Sequence, residues 1–144
     1  YGADLRKFLG FGADSWLVTA ARARFEHLTG NAPFWSLSQM GGKYLHRGYG
    51  AGRYTDRGLL VLGLEERLRL YSTKVSGVRA EFGLDPFLEL GTVFPDPGKM
   101  EARNFRPAAG FALRALARPQ VVGSVDFAFG REGLKIFVDI NYSY

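Results

Sequence analysis

At 144 residues the chain has room for one domain with a core of its own. It has no cysteine and two histidines, which excludes disulfides, thiolate metal sites and a histidine-built metal cluster, although carboxylates remain as ligands. A net charge of +5 admits nucleic-acid binding on charge alone, and no apolar run reaches the roughly eighteen residues of a transmembrane helix.

The chain opens on Tyr1 with neither an initiator Met nor a signal peptide, so it reads as a fragment or processed chain, and a missing targeting signal carries no information. Residues 3–12 read as a first strand. Over 16–27, Leu17, Thr19, Ala21, Ala23 and Phe25 alternate with Val18, Ala20, Arg22, Arg24 and Glu26. A long connector at 29–57 follows, holding the stretch GGKYLHRGYGAGRY from Gly41 to Tyr54. Over 58–71, Leu60, Leu62, Leu64, Leu68 and Leu70 oppose Gly63, Glu65, Arg67 and Arg69; over 77–94, Leu84, Leu88 and Leu90 oppose Glu81, Asp85, Glu89 and Gly91. After a second long connector at 95–104, residues 105–118 set Pro107, Ala109, Phe111, Leu113 and Ala115 against a face carrying Arg106 and Arg114. Val121, Gly123, Val125, Phe127 and Phe129 then alternate with Val122, Ser124, Asp126, Ala128 and Gly130. From 134 the chain alternates strictly to its end, with Leu134, Ile136, Val138, Ile140, Tyr142 and Tyr144 on one face. Such period-two runs are strands with one apolar and one polar face.

Short connectors (Gly12 to Asp14, Ser72 to Ser76, Pro119-Gln120, Arg131 to Gly133) alternate with the long ones, so the predicted order is an antiparallel up-and-down meander of seven strands. A soluble sandwich and a transmembrane barrel compete for this pattern. Strand length near that of a tilted membrane crossing, the alternation of short and long connectors, and a polar face rich in both arginine and carboxylate favour the barrel. That alternation of arginine with carboxylate also argues against a DNA-binding face. Seven strands are too few for a closed single-chain barrel, which has an even number from eight upward, so other residues must supply the rest.

Catalytic and nucleotide readings find no support. Gly48, Gly50 and Gly52 lack the G-x-G-x-x-G spacing, and there is no G-x-S-x-G elbow, cysteine nucleophile or zinc motif. Asp85 and Glu89, four apart, form too common a pattern to argue for glycoside hydrolysis. The chain is expected not to be an enzyme, and no cofactor or metal site is predicted.

The segment GGKYLHRGYGAGRYTDRGLLVLGLEERLRL resembles the long-loop region of the BamA/TamA outer-membrane protein superfamily, which includes two-partner-secretion transporters. His46-Arg47-Gly48-Tyr49 stands where the family has [V/L]RG[F/Y] after a Gly-Gly. Glu65-Glu66-Arg67 matches its Glu-x-Arg strand, and Phe87-Leu88-Glu89-Leu90-Gly91-Thr92-Val93 its F-x-D-x-G-x-V strand. Tyr142 and Tyr144 match its terminal aromatic. The resemblance covers essentially the whole chain, 1–144, as roughly the last seven strands of the family's sixteen-stranded barrel. Three residues depart from the pattern: His46 is not aliphatic, Glu89 is one methylene longer than Asp, and Glu66 falls on the lipid-facing phase.

The resemblance implies that the loop folds into the lumen and that its arginine meets acidic residues of the wall. A guanidinium can bridge two carboxylates, so the predicted loop-to-wall site is Arg47 with Glu65 and Glu89, joined by Arg67, with Gly48 allowing close approach and Tyr49 packing. Generic ion pairing of Glu65 and Glu89 with Arg67, Arg69 or Arg114 is an equal reading of the same residues. The last strand, with Val138, Ile140, Tyr142 and Tyr144, is implied as assembly signal and seam, although an interfacial aromatic girdle would also use those tyrosines.

The implied function is insertion or secretion of β-rich proteins through a lateral seam, without nucleotide, in the bacterial outer membrane. The implied partners are lipid and lipopolysaccharide, substrate outer-membrane or secreted proteins, and accessory assembly subunits, with no nucleic acid. Three alternatives stay open: a barrel displaying its own attached domain, as patatin-like members do, a passive porin or structural barrel, and a soluble sandwich binding an acidic ligand.

Overall fold

The computed structural model describes residues 1–12, 16–75, 77–118 and 121–142. Its strands are β1 (Gly2–Phe11), β2 (Leu17–His27), β3 (Ser38–Met40), β4 (Tyr54–Asp56), β5 (Gly58–Val75), β6 (Val78–Phe94), β7 (Arg106–Arg118), β8 (Val121–Gly130) and β9 (Gly133–Tyr142). Seven of them form one antiparallel sheet in the order β1-β2-β5-β6-β7-β8-β9, while β3 and β4 pair separately. The described residues contain no α-helix.

The register carries the sequence's alternation straight across the sheet. Arg22 lies opposite Gly63, which lies opposite Glu89, which lies opposite Ala108, so small and charged residues share one face. The other face carries Leu62, Leu64, Leu88, Leu113, Ile136 and Val138, all exposed. Burial of apolar side chains drives most sheets, yet here Val138 and Ile140 are 70% and 66% exposed. The apolar core lies on the opposite side, where Met40, Leu59 and Val61 pack with Leu45, Tyr54 and Val93 beneath the long loop.

The sheet is curled around that loop. Five inter-strand steps separate β2 from β9, about 24 Å in a flat sheet at ~4.8 Å per step. Tyr44 nonetheless touches both: its carbonyl accepts from Arg22 Nη1 at 2.5 Å, and its hydroxyl donates to Asp139 Oδ2 at 2.9 Å. A cavity of about 390 Å³ on the same side is lined by Arg6 and Phe8 of β1 together with Asp139 of β9. The charged face is therefore the inner wall of a trough, and the leucine-rich face is its outside.

The seven strands form an open sheet, with β1 at one edge and β9 at the other, as expected of too few strands to close. The order of pairing is that of a meander, and among the described residues no strand joins the two edges. Smaller differences follow from local chemistry. The connector expected at Ser72 to Ser76 is shorter, because β5 and β6 stay paired out to Val75 and Val78. Between Arg69 and Tyr71 the register shifts by one residue, so Leu70 has no partner and the phase of β5 changes beyond it. The ladder also has no pair for Glu66 or Arg67; continuing the register sets Glu66 against Pro86, which has no N–H to give. Glu66 lies on the outer phase as its spacing predicts, where the Thr19 hydroxyl donates to its carboxylate at 2.7 Å. The expected connectors Gly12 to Asp14 and Pro119-Gln120 fall partly or wholly outside the described residues.

Candidate functional site: an arginine clasp inside the trough

The loop enters the trough as a compact turn. Gly41 and Gly42 take φ values of +122° and +88°, which side-chain-bearing residues rarely adopt. Gly42 donates to the Tyr49 carbonyl at 2.8 Å, and its own carbonyl accepts from His46 at 3.0 Å, so residues 42–49 close on themselves. The short pairing of β3 with β4 pinches the stretch at its base, a hairpin within 29–57 that alternation did not predict.

Glycine then sets how near the turn approaches the wall. A Cβ on Gly48 would lie 2.4 Å from the Cβ of Ala108, and one on Gly130 would lie 2.4 Å from the Gly48 carbonyl. The loop backbone thus rests on β7 and β8. Tyr49 is fully buried beside it, its ring 5.0 Å from His46 and 5.3 Å from Tyr54.

That contact delivers Arg47 to the neighbouring part of the wall, where Glu89 is paired with Ala108. Its Nε donates to Glu89 Oε1 at 2.7 Å, and its backbone N–H donates to Glu89 Oε2 at 2.6 Å. Its Nη1 donates to Glu65 Oε2 at 2.8 Å and lies 3.6 Å from Asp126 Oδ2. The guanidinium carbon sits 3.4 Å from the centre of the Phe87 ring, a close cation–π contact. Arg67 Nε takes the other Glu65 oxygen at 2.8 Å. Burial alone would lower the Arg47 pKa; the fields and hydrogen bonds of Glu89 and Glu65 outweigh it and hold the pKa above its ordinary value. The guanidinium is charged at every working pH.

His46 fills the place of the expected aliphatic anchor. It is fully buried, against Met40 and the backbone of Gly91. Its Nε2 lies 2.9 Å from the Arg106 carbonyl, an acceptor, so Nε2 carries the hydrogen. Nδ1 lies 3.8 Å from Glu89 Oε2 and makes no hydrogen bond.

Of the predicted residues, Arg47, Gly48, Tyr49, Glu65, Arg67 and Glu89 meet in this one place. The terminal set lies apart: Val138 and Ile140 point outward from β9, Tyr142 is the last residue of that strand, paired with Val121, and Tyr144 lies outside the described residues. Phe87 and Asp126 belong to the cradle and were not predicted. Phe87 shares the phase of Glu89 two residues on, which signals the same face, whereas nothing local ties Asp126 to a loop almost eighty residues earlier. Lys43 and Tyr44 were likewise missed; Lys43 Nζ donates to Ser124 Oγ at 2.9 Å and lies 3.3 Å from Asp139 Oδ2.

The cradle holds a piece of the chain itself. Among the described residues no three His, Asp or Glu side chains are grouped to hold a metal ion. Compared with family models, curated proteins and solved structures, the chain matches none of them.

Proposed function

We propose that this chain is the C-terminal part of a transmembrane β-barrel of BamA/TamA type, which inserts or secretes β-rich proteins across the bacterial outer membrane without nucleotide. One observation carries the reading: the GGKYLHRGYGAGRY loop is clasped by Arg47 inside a trough whose outside is an exposed apolar face. Water would penalise that outside, and hydrocarbon would accept it. The aromatic residues fit the same picture. Phe82 and Tyr71 stack, both exposed, at the short-turn end of the outer face.

On this reading the remaining strands come from residues outside the chain, β9 is one side of the seam, and an incoming strand pairs with its edge by β-augmentation. The clasp holds the loop as an internal brace. Arg47→Ala is expected to weaken assembly or secretion and to abolish heat-modifiable migration, while unchanged values for both would remove the bracing role. A soluble sandwich is the second reading, favoured by Glu66 and Lys7 on the outer phase. Recovery of folded protein in buffer without detergent selects it over the barrel.

A further inference from the structure

Among the loop's contacts with the wall, two charged side chains four residues apart hold different strands. Arg47 holds β5 and β6 through Glu65 and Glu89. Four residues earlier, Lys43 and Tyr44 hold β8 and β9. Lys43 Nζ reaches Ser124 at 2.9 Å and Asp139 at 3.3 Å, and the Tyr44 hydroxyl donates to the same Asp139 at 2.9 Å. The closed turn at 42–49 sets the distance between the two grips. They also share a carboxylate, because Asp126 lies 3.6 Å from Arg47 Nη1 and 4.0 Å from Lys43 Nζ.

Resting on the barrel reading above, we infer that Lys43 and Tyr44 are a latch on the edge strand, through which the loop senses and restrains the position of β9. In the sheet, β9 pairs with β8 alone, so one ladder secures it. Asp139 adds a tie from β9 to the loop, three strands along the sheet from β6, which Arg47 holds. Lys43 and Asp139 are only 15% and 22% exposed, so solvent screens this pair less than a surface ion pair. Any movement of β9 away from β8 pulls Asp139 from Lys43 and Tyr44. Lys43 is then left with Ser124 and with Asp126, which also lies beside Arg47. Asp126 thus stands beside both grips.

Amide hydrogen exchange on the chain folded in detergent or lipid tests this. Lys43→Met combined with Tyr44→Phe is expected to speed exchange of the β8–β9 amides by about tenfold or more, with β5–β6 amides changed by less than about twofold. Arg47→Ala is expected to give the reverse pattern, and Lys43→Arg to keep β8–β9 slow. Unchanged β8–β9 exchange in the double variant, or equal acceleration in every strand, overturns the latch. If the double variant does not fold, Asp139→Asn, which keeps the side chain's shape, answers by the same two outcomes. A wild-type chain that stays folded without detergent sinks the membrane reading instead, and β9 exchange still decides the latch.

Discussion

Glu89 holds Arg47 by two hydrogen bonds. Its two oxygens divide between the Arg47 backbone N–H and Nε, a reach that joins main chain and side chain in one grip. Glu89→Asp, one methylene shorter, is expected to lose one of those bonds and about 1–2 kcal/mol of stability, read from denaturant unfolding in detergent. Arg47→Ala is a larger change. It leaves Glu65 and Glu89 in the wall without their buried cation, and a loss of about 3–5 kcal/mol is expected in the same measurement. Arg53→Ala serves as the control. Its bond to Glu132 is 2.8 Å long, but Arg53 is 56% exposed, so a loss of no more than about 1 kcal/mol is expected. Equal losses for Arg47 and Arg53 would mean that the clasp contributes no more than a surface pair.

At the scale of elements, the strands were legible because alternation is a local signal, and each face falls where its spacing put it. The expected ends at 71, 105 and 134 differ from the observed strands because pairing partners, not local pattern, decide where a ladder stops. The bulge at Leu70 and the ladder gap at Glu66 were invisible for the same reason. So was the β3–β4 hairpin, whose three-residue strands carry too little alternation to register. In the candidate site the arginine, its two glutamates and the loop's return were legible through the resemblance. Lys43, Tyr44 and Asp126 were not, since their contacts join residues about 80 to 95 positions apart. The loop's seat on β7 offers a test at this scale. Gly48→Ala drives a methyl into Ala108 and is expected to cost about 1–3 kcal/mol by overpacking. Adding Ala108→Gly is expected to restore much of that loss. If the double variant is no better than Gly48→Ala alone, the approach of loop to wall is not as tight as described.

For the whole molecule, the sheet has an apolar outside and a charged inside. Strand β9 expresses this most simply, with Ile136, Val138 and Ile140 outward and Phe137 and Asp139 inward, on an edge where few other contacts intervene. Because the chain has no cysteine, single cysteines can be placed along it without background. The decisive measurement attaches a spin label at each of residues 136–140 in turn, with the protein in lipid vesicles, and compares a lipid-soluble with a water-soluble relaxation agent. Accessibility to the lipid-soluble agent is expected to peak at 136, 138 and 140 and fall at 137 and 139, with the water-soluble agent showing the opposite alternation. Water access at 136, 138 and 140 equal to that at 137 and 139, or no lipid access anywhere on β9, would contradict the account.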